Sequence, residues 1–118
     1  MNAENAVASK VNRLAALQAL ATDPHYSMRC LEVSTAHVPR ATAVELESGR
    51  WEGFYVHWKK YGWIFPLDET QIEAARSTGH AELAALMELA VEVNYGYLRL
   101  DADALTLPEA IGLPEFDW

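Results

Sequence analysis

Residues 51–65 read WEGFYVHWKKYGWIF and hold seven of the chain's twelve aromatic side chains. Two aromatic runs flank a short stretch, 59–62, that ends in glycine, and this pattern predicts a β-hairpin. We expect its strands over about 53–58 and 62–67. Side chains alternate between the two faces of a strand, so each strand should present one set to the core. The expected core set is Phe54, Val56, Trp58, Trp63, Phe65 and Leu67.

The remaining aromatic side chains of the hairpin are free for recognition in this interpretation. Tyr55, His57 and Tyr61 would lie on the face opposite the core, and Trp51 precedes the first strand. Beside the lysines at the hairpin tip, such rings could stack on a ligand or a nucleobase. A solvent-facing sheet surface is the simpler explanation, and the pattern favours it. Because the net charge is −8, we expect no direct binding of nucleic acid.

The segments around the hairpin alternate between helical and strand-like patterns. Helices are expected over 3–21, from Pro39 to Glu47, and in two stretches after Asp68 that a break at 77–79 separates. Strands are expected over 28–35 and 97–101. Without the first helix, the order is β-α-β-β-α-β. This order predicts an α+β, ferredoxin-like fold, with a four-stranded antiparallel sheet covered by helices on one face.

The length of 118 residues predicts one domain, 1–118, in three parts. These are an N-terminal helix over 1–22, an α+β core over 28–103 and an ordered tail over 104–118. No run approaches the ~20 apolar residues that span a bilayer. The N-terminus lacks the layout of a signal peptide, so we expect a cytoplasmic protein. The single cysteine, Cys30, has no partner for an internal disulfide and is given no catalytic role.

Charge is distributed unevenly along the chain. Residues 1–66 carry six acidic and seven basic side chains, whereas residues 67–118 carry eleven acidic side chains against Arg76 and Arg99. A surface rich in carboxylates could dock into a basic groove on another protein, and Glu82, Glu88 and Glu92 on the last helix are the candidates. The alternative is a solvated acidic surface that serves solubility only.

Two small clusters are candidates for chemistry. His37 follows the first strand in the sequence Ser34-Thr35-Ala36-His37, where it could act as a general base or bind a metal. The alternative is a structural role in which it forms local hydrogen bonds. Because the first and last strands of an antiparallel sheet run in opposite directions, we expect His37 and Asp101 at opposite ends of the sheet.

Asp101 and Asp103 end the last strand and could share a divalent cation or a proton. An ordinary aspartate-capped turn is the competing explanation. The sequence contains no glycine-rich phosphate loop, no cysteine or histidine cluster and no Ser-His-Asp arrangement. We therefore assign no catalytic residues, no metal ligands and no cofactor. The sequence favours a protein without enzymatic activity.

Several short motifs occur together in order along residues 28–118. They are Ser34-Thr35-Ala36-His37-Val38, Thr42-Ala43, the tryptophan-rich hairpin, Leu98–Asp103 and the closing Leu113–Trp118. Together they resemble a family of small bacterial proteins of unknown function. The resemblance implies carriage on mobile genetic elements such as plasmids, integrative elements and prophages. After Asp103, the stretch Ala104–Pro108 replaces the short Gly-Pro turn expected for the family.

These observations lead to three hypotheses. The first is a non-enzymatic protein-interaction module of a mobile element, in its narrowest form an anti-defence inhibitor that mimics DNA. It would use Glu82, Glu88, Glu92, Asp101, Asp103, Tyr55, His57 and Tyr61 to bind a host or element-encoded protein. The second is a small-molecule or metal-dependent activity centred on His37 or the Asp101/Asp103 pair. The third is a homodimer formed through the exposed face of the hairpin.

Overall fold

A computed structural model describes residues 3–49, 51, 55–58 and 62–117, which contain four α-helices and four β-strands. The helices are α1 (Ala3–Ala19), α2 (Arg40–Ser48), α3 (Glu69–Ser77) and α4 (Ala81–Glu92). The strands are β1 (Arg29–Ser34), β2 (Val56–Trp58), β3 (Gly62–Pro66) and β4 (Tyr95–Asp101). Short 3-10 turns lie at Leu20–Thr22, Thr35–His37 and Glu109–Ile111. The α+β class is confirmed.

The sheet is mixed, with the strand order β1-β4-β3-β2. β3 pairs antiparallel with both β2 and β4, whereas β1 pairs parallel with β4. The prediction of a wholly antiparallel sheet is therefore wrong, and the ferredoxin-like arrangement is not confirmed. The side chains of β1 and β4 fit their places at the edge and inside the sheet, respectively. Arg29 and Glu32 of β1 are exposed, as suits a strand at the edge, whereas Leu98 and Leu100 of β4 are fully buried.

The hairpin forms within the ranges that the sequence predicted, and the structure supplies its register. Val56 pairs with Ile64, His57 with Trp63 and Trp58 with Gly62. Trp63 lies in the core and Ile64 is only half-buried, so His57, rather than Val56 or Trp58, occupies the register position opposite the core residue. Period two groups the residues of one strand but does not fix their alignment with the partner strand. Phe54 and Tyr61 lie outside the described residues.

One face of the sheet packs against the helices to form the core. Trp63 and Phe65 from β3 and Leu98 and Leu100 from β4 are buried there, as the sequence predicted for the two aromatic residues. α4 contributes the largest apolar set from a helix, namely Leu83, Ala84, Leu86, Met87 and Ala90. Leu67, also assigned to the core, is half-buried against this cluster. The hairpin and α4 thus both contribute to one hydrophobic core.

Helix α1 stands apart from this core. In the described part of the chain, the element that it contacts most is the 3-10 turn immediately after it. The molecule measures 59 × 32 × 27 Å, a long dimension that is consistent with a helix extending from the body. Among the described residues, no helix combines the length and the apolar character needed to cross a bilayer.

Candidate functional site

His37 is buried and holds the C-terminal tail with both nitrogens of its ring. Its Nε2 accepts a hydrogen bond from the Leu107 amide at 2.8 Å, and its Nδ1 lies 3.0 Å from the carbonyl oxygen of Pro114. A carbonyl only accepts and an amide only donates, so the ring must be the neutral tautomer with its hydrogen on Nδ1. The structural explanation for His37 therefore accounts for both nitrogens.

The backbone beside His37 binds the same tail. Ser34 donates its amide to the Leu105 carbonyl at 3.0 Å, and Phe116 donates its amide to the Ala36 carbonyl at 2.7 Å. The Ser34 side chain accepts from the Ala36 amide at 3.0 Å, which shapes the turn that places His37. The ordered co-occurrence of the Ser34–Val38 motif and the closing motif thus has a physical basis, because one motif binds the other.

Asp101 is buried and caps the turn that follows β4. Its Oδ1 accepts from the Asp103 amide at 2.8 Å, and its Oδ2 accepts from Arg99 Nη2 at 2.9 Å. This is the aspartate-capped turn that the sequence left as one alternative. Asp103 itself is exposed.

The parallel pairing of β1 with β4 brings the ends of these strands to the same edge of the sheet. Ser34 pairs with Asp101, so the turn carrying His37 and the turn after Asp101 are neighbours. The expectation that His37 and Asp101 lie at opposite ends of the sheet is therefore wrong. Within the described residues, no group of three or more histidine, cysteine, aspartate or glutamate side chains is arranged to hold a metal ion.

Cys30 is exposed on the edge strand β1. Partial desolvation of the thiol raises its pKa, nearby Glu32 raises it further, and Arg99 opposes the shift in part. A raised pKa leaves less of the nucleophilic thiolate at any given pH.

We therefore predict that iodoacetamide alkylates Cys30 more slowly in the folded protein than in the urea-unfolded chain at the same pH. The rate should rise as the pH increases through the ordinary range for a thiol, because deprotonation produces the reactive form. Mass spectrometry of the alkylated peptide measures both rates, and an equal or faster folded-state rate would contradict the prediction.

The structure places the candidate partner-binding acids in different environments. Glu82 is half-buried and Asp101 is buried, whereas Glu88, Glu92 and Asp103 are exposed. Glu88 is bound by Arg76 Nη2, and Arg76 Nη1 donates to Glu73 Oε2 at 2.8 Å. Because Arg76 donates these hydrogen bonds to Glu88 and Glu73, the pKa of its guanidinium is raised.

Of the aromatic candidates, Tyr55 is less available than the sequence suggested. Tyr55 is half-buried, donates its hydroxyl to the Leu46 carbonyl at 2.7 Å and packs against Phe65. It thereby links the hairpin to α2. The backbone of His57 lies in β2, opposite Trp63. Tyr61 lies outside the described residues.

An apolar groove is a surface feature that the sequence did not reveal. It has a volume of about 490 Å³ and lies between α4, the β1–β4 edge and the tail. Its lining is almost wholly apolar and includes Leu31, Leu89, Val93, Tyr95, Ile111 and Leu113. The helical spacing of Leu86, Leu89 and Val93 was the available signal, but the groove exists only because the tail packs beside α4.

Two exposed carboxylates are adjacent in sequence to residues that line this groove. Glu92 immediately precedes Val93 at the end of α4, and Glu109 immediately precedes Ala110 in the tail. Among the described residues neither has an ion-pair partner, and we call these two carboxylates the acidic rim. One basic side chain also lies here, because Arg29 donates to the Val93 carbonyl at 2.9 Å and lies over the Tyr95 ring.

A second, smaller cavity of about 310 Å³ is lined by Trp51 and His80, with Thr78 and Glu45 beside them. His80 Nδ1 lies 3.0 Å from the hydroxyl of Thr42, and the His80 and Trp51 rings are 5.7 Å apart. His80 immediately precedes α4, and its side chain is buried.

The fold and its surfaces define a small α+β domain with a tail-bounded groove. Residues 30–118 match the model for the C-terminal domain of a family of unknown function, DUF5983, and the chain belongs to that family. The match begins inside β1 and leaves α1 outside, as the resemblance in sequence indicated. Comparison with curated proteins and with solved structures found no match.

Proposed function

We propose that this domain is a protein-interaction module that binds its partner through the apolar groove and the acidic rim. The observation that carries the proposal is the combination of an open apolar surface with nearby carboxylates that form no ion pair among the described residues. An apolar centre surrounded by a polar rim is the usual anatomy of a protein–protein interface. A partner with basic and apolar side chains on one surface would complement it.

The arrangement of the two arginines supports this proposal. Arg76 is bound by Glu73 and Glu88, and Arg99 donates to Asp101, so both cations of residues 67–117 are engaged within the domain. Glu92, Glu109 and Glu115 remain exposed, without ion pairs among the described residues. Their field is directed to solvent and would accelerate and orient association with a basic surface.

The alternative of a small-molecule or metal-dependent activity has less support. Both ring nitrogens of His37 and both carboxylate oxygens of Asp101 are already engaged by the chain itself. A base or ligand at either position would have to release the tail or open the turn.

Charge neutralisation at the rim should weaken partner binding. With wild-type protein as bait for affinity capture from the native host, the double variant Glu92→Gln/Glu109→Gln is expected to lose at least about tenfold in affinity for the captured protein. The matched control is Glu73→Gln/Glu88→Gln, which removes the same charge where Arg76 already neutralises it. Equal capture by both variants and the wild type would refute the role of the rim.

The narrower version of the proposal is an anti-defence DNA mimic encoded by a mobile element. It is supported by the excess of carboxylates in the C-terminal half and by the genetic setting that the family resemblance implies. Competition decides it: duplex DNA should displace the chain from its partner, and added salt should weaken the complex steeply. A partner that binds DNA and the chain simultaneously would eliminate the mimic and leave the interaction module intact.

A further inference from the structure

Helix α1 presents an apolar stripe that nothing in the described structure covers. Val11, Leu14 and Leu17 follow one another at helical spacing and are 72%, 59% and 67% exposed. Lys10 and Arg13, also exposed, flank this stripe. An amphipathic helix with basic residues beside its apolar stripe is the kind of segment that docks into an apolar groove.

The acceptor for such a helix is present on the same chain. The groove between α4 and the tail is apolar, and two of its lining side chains, Leu89 and Val93, are 42% and 53% exposed. Glu92 and Glu109 beside it carry the charge opposite to that of Lys10 and Arg13. The two surfaces are therefore complementary in polarity and in charge.

The connection between α1 and β1 keeps the helix away from its own groove. The Ser27 hydroxyl donates to the Leu20 carbonyl at 2.6 Å, and the amides of Tyr26 and Ser27 donate to the Asp23 carbonyl at 3.0 and 2.9 Å. The Asp23 side chain also accepts from the His25 amide at 2.9 Å. These bonds form a structured turn, so the helix could reverse direction only by breaking them.

The start of β1 is fixed as well. Arg29 donates from Nη1 to the Val93 carbonyl at 2.9 Å, and its guanidinium lies 4.3 Å from the centre of the Tyr95 ring. The point at which the connection enters β1 is thus fixed relative to the C-terminal end of α4. With both ends of the connection held, α1 is displayed to a second molecule.

We propose that the chain forms a symmetric dimer in which α1 of each copy occupies the groove of the other. This inference rests on the proposed function, because it names a second copy of the chain as an occupant of the same groove. An exchange of this kind is isologous: one two-fold axis generates two identical contacts and leaves no open surface for further growth.

The first experiment measures mass in solution. Size-exclusion chromatography with light scattering should give twice the 13.2 kDa of the chain. Leu14→Gln/Leu17→Gln on the helix, or Leu89→Gln/Val93→Gln in the groove, should each shift the mass to that of one chain. The control Val44→Gln/Leu105→Gln also removes two exposed apolar side chains, but neither lies on α1 or in the groove, and it should remain dimeric.

Mixing the two monomeric variants provides the sharper test. One keeps its groove and the other keeps its helix, so an equimolar mixture should recover a two-chain complex through one of the two contacts. All four substitutions are to an uncharged side chain, so attraction between opposite charges would not explain recovery. Circular dichroism and thermal melting establish that each variant is folded.

The outcomes separate this inference from the proposed function. A monomeric wild type over a roughly hundredfold concentration range, or a dimer that survives the groove substitutions, would overturn the exchange. If the wild type is monomeric but the groove variant no longer captures the host partner, the exchange fails and the interaction module stands. If neither mass nor capture responds to groove or rim substitutions, both fail.

Discussion

Replacing Gly62 with alanine is expected to eliminate most of the folded protein. A Cβ at this position would lie 1.7 Å from the Leu100 carbonyl oxygen and 2.7 Å from its carbon, where ordinary contacts are 3.4 Å or longer. The obstructing atoms are backbone atoms of β4, so no side chain can rotate away. Gly62 also pairs with Asp101 on one side and Trp58 on the other. Relief would require β3 to separate from β4.

We expect the free energy of unfolding to fall by more than about 4 kcal/mol in Gly62→Ala. Small domains have only roughly 5–15 kcal/mol in total, so the variant should be largely unfolded or insoluble. Urea denaturation followed by far-ultraviolet circular dichroism measures the loss. The backbone also contributes, because Gly62 has φ of 149°, a conformation that residues with a side chain rarely adopt.

Gly79→Ala is the matched control for this substitution. Gly79 also has a positive φ, 83°, but a Cβ there would meet nothing within 4 Å. The substitution should lower the free energy of unfolding only by the cost of a left-handed backbone conformation, about 1–2 kcal/mol. The difference between the two variants isolates the β3–β4 contact. Similar losses in both variants would mean that β3 and β4 do not approach as closely as the structure shows.

The hairpin shows how far the sequence could determine this fold. Period two and the break at 59–62 were enough to predict two strands and to assign Trp63 and Phe65 to the core. They were not enough to give the alignment of the two strands, because it depends on the turn and on tertiary packing. Local patterns record which residues of one strand share a face, and little more.

The direction of β1 relative to β4 was the larger feature that the sequence could not predict. The pattern of β1 is the same whether its neighbour runs parallel or antiparallel, and about 60 residues separate the two strands. The wrong direction then misplaced His37 relative to Asp101. The groove could not be predicted from the sequence either. It forms only because the tail, which carries Ile111, packs beside Leu89 of α4. By contrast, His37 and the closing motif were both noticed in the sequence, and the structure supplies the hydrogen bonds that join them.

Replacing His37 with phenylalanine should release the C-terminal tail. Phenylalanine has a similar ring but no nitrogen, so it would leave the Leu107 amide and the Pro114 carbonyl without their partners. A buried group that loses its hydrogen bond costs about 1–3 kcal/mol, so we expect a loss of roughly 2–4 kcal/mol in the free energy of unfolding. Escape of the tail to solvent would limit the loss to the lower part of that range.

Hydrogen exchange distinguishes tail release from general destabilisation. In His37→Phe, the amides of Leu107 and Phe116 should exchange much faster, whereas that of Leu98 in the central strand should change only with global stability. Uniform acceleration at all three positions would contradict a local role. His25→Phe is the matched control, because the same exchange of rings is made at a side chain that is 86% exposed, and it should cost less than about 0.5 kcal/mol.

Partial replacements then separate the two hydrogen bonds of His37. Asn places an amide N–H near the position of Nδ1 and should preserve the bond to Pro114, whereas Gln reaches toward the position of Nε2 and the Leu107 amide. Each should recover part of the stability lost in His37→Phe. Because the groove is bounded by Leu107, Ile111 and Leu113 of the same tail, His37→Phe should also weaken dimerisation without touching the groove. A fully dimeric His37→Phe protein with an exposed tail would show that the groove forms without the tail, and would shift the binding surface to α4 alone.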